Sequence, residues 1–180
     1  MSQLKSILAE NALISYEPSS EVVLKEEVTE LAVTQMPPDV VVINMDVVGH
    51  LPGTRRGVLK RICDFLLFRS SDGEDYAIFV ELKETLKENK KGMEQLRRSL
   101  PILKYLVSAC HIHGDEKNKS RWTPGIRYYL IGMKNSRKLD KQPVRPRRRV
   151  QKEEYKDIDV HTYLGGRVSF NLLQNARPDQ

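Results

Sequence analysis

Arg61-Ile62-Cys63-Asp64-Phe65-Leu66-Leu67-Phe68 and Ala77-Ile78-Phe79-Val80-Glu81-Leu82-Lys83 are the two stretches on which the fold turns. Both read as strands, over residues 60–69 and 76–85, as short runs in which apolar residues predominate. Between them lies Ser70-Ser71-Asp72-Gly73-Glu74-Asp75, and Asp-Gly is a strong hairpin signal. One carboxylate interrupts the first strand. A buried charge is costly alone, so Asp64 requires a cation, a metal or a water-filled cleft. Side chains alternate along a strand, so Ile78, Val80 and Leu82 share one face and Glu81 and Lys83 the other. A turn centred between Asp72 and Gly73 puts Asp64 opposite Glu81, with Cβ atoms roughly 4.5–5.5 Å apart. Position 62 then faces Lys83, which brings the amine beside both carboxylates. Like charges that close repel. A divalent cation between them removes the conflict, and oxygen-only ligands suit Mg²⁺ or Mn²⁺.

Working outward, residues 2–14 read as a short helix with Leu4, Ile7 and Leu8 on one side. Ser19-Ser20 are placed to cap a helix over residues 21–34, stopped by Pro37-Pro38. Residues 40–48, rich in Val and Ile, read as a strand. Downstream, Met93, Leu96, Leu100, Leu103 and Val107 recur at helical spacing over residues 93–109, with Pro101 expected to kink or split that helix. Residues 126–133 read as a fourth strand. A Lys/Arg-rich arm follows, and residues 161–173 read as a hairpin turned by Gly165-Gly166 with Tyr163 and Phe170 in its strands. The order is helix, three strands, helix, strand, then an appendix. This predicts one α/β domain over residues 1–180, with a core of about 21–134 and an extension of about 135–180.

The composition narrows the functional classes. Thirty Lys and Arg against 24 Asp and Glu give a net charge of +6, a weak pointer to a polyanionic partner. No apolar run approaches the roughly 18 residues that span a bilayer, and the N-terminus lacks the apolar stretch of a signal peptide. Two cysteines, Cys63 and Cys110, build no disulfide framework. The expectation is a cytoplasmic protein with reduced thiols and no membrane partner. Cys110-His111-Ile112-His113 has no second ligand cluster for zinc. His50 and His161 are isolated, no G-x-S-x-G supports a covalent nucleophile, and no G-x-x-x-x-G-K-[ST] supports nucleotide hydrolysis.

Asp64, sixteen residues, then Glu81-Leu82-Lys83 resembles the PD-(D/E)XK nuclease superfamily. Its core order of helix, three strands, helix, strand matches the reading from about 21 to 134. Cys63 stands where the superfamily's name implies Pro. The resemblance implies a restriction-endonuclease-like αβββαβ core with a mixed central sheet. It also implies Mg²⁺-dependent hydrolysis of phosphodiester bonds, with Mn²⁺ as a substitute, and DNA is favoured over RNA as the substrate. Asp64 and Glu81 would hold the metal with the Leu82 backbone carbonyl, and Lys83 would position or activate the attacking water. Some members place a Glu of the first core helix at the metal. On a helical wheel Glu27 falls within the apolar arc of Val23, Leu24, Val28 and Leu31, which makes it the candidate. Gln95 answers to the Gln of a Q-x-x-x-Y pattern found in several nuclease families, although Ser99 stands where Tyr would be. Small members often act as endonucleases in restriction or anti-phage systems, as homodimers or with a protein partner.

Arg55, Arg56, Lys87, Lys90 and Lys91 flank the proposed site strands, and Arg147, Arg148 and Arg149 lie in the basic arm. These are the candidate phosphate contacts; the plain reading is a solvated rim and a solvated arm. Trp122 and Tyr128-Tyr129 are candidates for base stacking, with core packing as the simpler role. Two other readings compete with catalysis. One is a surface Asp–Lys ion pair. The other is a catalytically inactive nucleic-acid-binding or complex-assembly subunit that keeps the nuclease fold.

Overall fold

In this computed structural model, residues 2–48, 62–71, 74–85, 89–113, 125–132, 147–148, 158 and 160–175 are described. The chain opens with helix α1 (Ser2–Ile7), a 3-10 turn (Glu10–Ala12) and a short strand β1 (Leu13–Ile14). The expected first helix is therefore shorter than residues 2–14.

Residues 21–34 form a β-hairpin, not the expected helix. Strands β2 (Val22–Glu26) and β3 (Thr29–Thr34) pair antiparallel from Val22↔Val33 to Glu26↔Thr29. At this length the apolar residues satisfy both periods, and tertiary burial decides. Val22, Leu24, Leu31 and Val33 alternate into the interior. Val23 and Val28, which a helix would bury, are 43% and 76% exposed. Glu27 has φ 45°, a left-handed conformation that turns the chain and interrupts any helix.

Strand β4 (Val40–Asn44) gives way to a short helix α2 (Met45–Val48), so the expected strand 40–48 is halved. The Asp46 N–H donates to Asn44 Oδ1 at 3.0 Å, a local turn that competes with the ladder. Strands β5 (Phe65–Ser71) and β6 (Glu74–Lys83) pair from Phe65↔Val80 to Ser71↔Glu74, the register an Asp72-Gly73 turn implies. Helix α3 (Asn89–His113) runs unbroken through Pro101. Pro101 is exposed, so the carbonyl deprived of its N–H lies on the solvent side. Strand β7 (Gly125–Gly132) follows, then β8 (Arg147–Arg148), β9 (Val160–Leu164), β10 (Arg167–Ser169) and helix α4 (Phe170–Asn175).

Among the described residues, a seven-stranded mixed sheet has the order β1-β4-β5-β6-β7-β9-β8. Strands β4, β5 and β6 meander antiparallel; α3 then crosses over so that β7 lies parallel to β6. The C-terminal segment is not the expected hairpin. Strand β9 pairs parallel with β7, whereas β10 leaves to pair with β3 in a second, three-stranded sheet of order β10-β3-β2, and Phe170 opens α4. Gly165, at φ 147°, supports that change of sheet, and its N–H donates to the Gly132 carbonyl at 3.2 Å.

The continuous apolar runs of β5 and β6 are buried on both faces. Leu66, Phe68 and Phe79 pack with Leu4 of α1 and Leu96, Leu103 and Leu106 of α3. Phe65, Leu67, Ile78 and Val80 pack with Leu24, Leu31 and Val33 of the small sheet and with Phe170. Tyr128 and Tyr129 belong to these cores: Tyr128 stacks on Phe79 and Tyr129 on His161, each at 5.3 Å between ring centroids. No helix among the described residues is long and apolar enough to cross a membrane.

Candidate active site

Asp64 lies one step before the first β5–β6 pair, and Glu81 one step after Val80 on the facing strand. Both are buried, Asp64 at 6% exposure and Glu81 at 0%. Sheet alternation sends them toward the face that α3 covers. The Leu82 N–H donates to Asp64 Oδ2 at 2.6 Å, which ties the two strands together through the carboxylate. Lys83 Nζ forms an ion pair with Glu81 Oε1. Glu81 Oε2 is buried with no hydrogen-bond partner among the described residues. The three residues singled out from sequence thus lie close together at the end of the β5–β6 pair.

The approach to Asp64 is clamped from both sides. The Met45 N–H donates to the Asp64 carbonyl at 2.9 Å. On the α3 side, the Cys63 N–H donates to Ser99 Oγ at 2.8 Å, and the Ser99 hydroxyl donates to the Gln95 carbonyl at 2.8 Å. Gln95 Nε2 donates to the Ile62 carbonyl at 3.1 Å. Gln95 and Ser99 therefore hold the peptide before Asp64, and Gln95 touches the backbone, not the carboxylates. Ser99, buried at 0% exposure, is where the sequence pattern led one to look for Tyr. Gly92 lets α3 approach this closely. A Cβ there would lie 2.6 Å from Leu130 Cδ1, 3.5 Å from Glu81 Cγ and 3.6 Å from Lys83 Cε.

Burial dominates the electrostatics. It pushes the Asp64 carboxyl up to about 7, offset in part by the Leu82 N–H and the Lys83 charge and reinforced by Glu26 and Asp46. Burial, and then the Asp64 charge, push Glu81 up to about 8, with Lys83 opposing. Glu26 is raised by partial burial and by its neighbours Asp46 and Glu27. Asp46 at the start of α2 and Glu26 at the end of β2 therefore belong to the same acidic neighbourhood, and reading the sequence as helix 21–34 and strand 40–48 hid both. Glu27, the expected accessory acid, is exposed at the hairpin turn. The neighbour whose charge reaches Asp64 is Glu26. Val22-Val23-Leu24-Lys25-Glu26 does not alternate in hydropathy, so no local signal in this stretch favours Glu26 over Glu27.

The donor set fits a hard divalent cation. It consists of carboxylate oxygens, one of them buried and unpartnered. Among the described residues no group of three or more His, Cys, Asp or Glu is gathered to hold a metal ion. A Mg²⁺ ion is commonly held by one or two carboxylates with waters and substrate phosphate completing its shell. Asp64 and Glu81 would be those carboxylates, with the Leu82 carbonyl adjacent.

Of the candidate phosphate contacts, Lys90 and Lys91 are exposed in the first turn of α3. Arg147 and Arg148 form β8, beside β9. Arg55, Arg56, Lys87 and Arg149 lie outside the described residues, as does Trp122. Comparison of the chain with family models, with curated proteins and with solved structures returned no match.

Proposed function

We propose that this chain is a metal-dependent nuclease that hydrolyses phosphodiester bonds in DNA, built on a restriction-endonuclease-like core of the PD-(D/E)XK kind. One observation carries the reading: Asp64, Glu81 and Lys83 converge at the end of an antiparallel strand pair, inside a β-meander whose third strand leads through α3 to a parallel fourth. In that reading α1 takes the part of the first core helix, and the β2–β3 hairpin is an insertion before β4.

A bound Mg²⁺ would supply a nucleophile near neutral pH and neutralise developing charge. The chain's own residues do the rest. Asp64 is aimed by the Leu82 N–H and by the clamp at residues 62–64. Glu81 offers Oε2 while Lys83 holds Oε1. Lys83 also places a fixed positive charge where phosphoryl oxygens gain negative charge, an effect typically worth 10²–10³ in rate for a single preorganised donor, roughly.

Nicking of supercoiled plasmid by the purified protein in Mg²⁺, abolished by EDTA, is the expected result. Glu81→Ala and Lys83→Ala proteins that cleave as well as wild type would refute the assignment. DNA binding insensitive to EDTA, with no cleavage in any divalent metal, would support the non-catalytic subunit; the Glu81–Lys83 ion pair, which already compensates part of the buried charge, is what favours that second reading.

A further inference from the structure

Helix α3 leaves the site with a one-sided charge. Its first turn meets Glu81 and Lys83 through Gly92. Because β7 lies parallel to β6 and begins beside Tyr76, the helix between them must run from the carboxylate end of the sheet to the opposite end. At 100° per residue, Lys90, Arg97 and Lys104 fall almost in line, with Lys91 and Arg98 on the same arc. All five are exposed. Glu94, half-buried and 3.6 Å from Arg98, is the one carboxylate in the helix. Tyr105, 54% exposed, lies on this arc beside Lys104.

We propose that the exposed face of α3 is a docking track for the sugar–phosphate backbone of DNA extending beyond the site. The inference rests on the proposed nuclease reading for what happens at the carboxylates, but its binding claim stands apart from cleavage. From Lys90 to Lys104 the helix rises about 21 Å, which matches roughly six nucleotides of a B-form strand. A five-to-one excess of cations spaced over that length suits a continuous polyanion better than a single phosphate. The protein would then hold long DNA more tightly than short DNA, with the scissile bond at one end of the track.

The test is fluorescence anisotropy of the full-length protein in EDTA, so that cleavage is not read. The probes are a 30-base-pair duplex, about five times the track length, and a DNA hairpin whose stem of about three base pairs, half the track, occupies the site end alone. For Arg97→Gln/Arg98→Gln/Lys104→Gln, binding to the long duplex at about 50 mM salt should weaken at least tenfold, and the salt slope should fall by about 2 to 3. Binding to the short hairpin should change less than twofold, and Arg97→Lys/Arg98→Lys/Lys104→Arg should retain wild-type affinity. Unchanged binding of the long duplex would overturn the proposal. So would equal losses on both lengths, or a larger loss on duplex RNA or on phosphatidylserine vesicles than on DNA. A wild-type protein that binds the long duplex but never cleaves it would refute the nuclease reading and leave the track standing.

Discussion

Glu81→Gln probes the electrostatics of the site without any substrate. Glu81 is fully buried, its Oε2 has no partner among the described residues, and its carboxyl is pushed up to about 8, with Asp64 at about 7. Each is an acid whose folded pKa lies above its ordinary value, 4.5 for Glu81 and 3.8 for Asp64. The folded chain therefore keeps protons that the unfolded chain releases. Their contribution to stability is intact below about pH 4 and declines as pH rises to about 8, in the absence of a cation. At about 1.4 kcal/mol per pKa unit, the gap for Asp64 alone is on the order of 4 kcal/mol. The two carboxyls titrate as a pair, so their losses do not add in full. Wild-type stability should thus fall by roughly 3 to 5 kcal/mol between pH 5 and pH 8 from this site. Gln removes the titrating group and its repulsion of Asp64, but it also removes the Lys83–Glu81 ion pair. The net expectation is a variant more stable than wild type by about 2 kcal/mol at pH 8 and close to it at pH 5. Urea denaturation in EDTA across pH 5 to 8.5 measures this directly. Wild-type stability that is flat or rising over that range, or a Glu81→Gln protein weaker at pH 8, would refute the reasoning.

Other expectations follow from the same geometry. Mg²⁺ or Mn²⁺ at millimolar concentration should raise the melting temperature at pH 8 and scarcely at pH 5, because the cation competes with protons for Asp64 and Glu81; equal shifts at both pH values would place the ion elsewhere. Ser99→Ala leaves the buried Cys63 N–H without its acceptor and should cost about 1–3 kcal/mol in urea denaturation, with a loss of nicking beyond what unfolding explains. Ser99→Thr, which keeps the hydroxyl, should recover most of the nicking. Gly92→Ala gains about 1 kcal/mol of helix propensity but crowds Leu130 Cδ1, so stability should change by less than about 2 kcal/mol while nicking drops sharply. Full activity in that variant would show that the helix need not lie so close to Glu81 and Lys83.

The legible part of the site was the part carried by a single hairpin. Asp64, Glu81 and Lys83 are related by strand alternation and by a two-residue turn, and both rules act over fewer than twenty-five residues. The β5–β6 register follows from them, as does the long helix after Lys83. Residues 21–34 were illegible for the opposite reason. Val23, Leu24, Val28 and Leu31 suit a helical arc, and Val22, Leu24, Leu31 and Val33 suit a pair of strands equally well. The partner that decides between them, β10, lies more than 130 residues away: Thr34 Oγ1 reaches the Val168 carbonyl at 3.4 Å. The same distance effect dissolved the expected C-terminal hairpin, since Gly165-Gly166 turn the chain from one sheet into the other.

Alone, the sequence pointed to two acids and an amine meeting across an Asp-Gly turn, because strand alternation and a two-residue turn relate positions within one hairpin without any distant partner. Tertiary structure alone decided which acids surround them. Glu26 and Asp46 come to the site because β2 and β4 end there, and strand ends are located by packing between sheets, a non-local quantity that no window of residues contains.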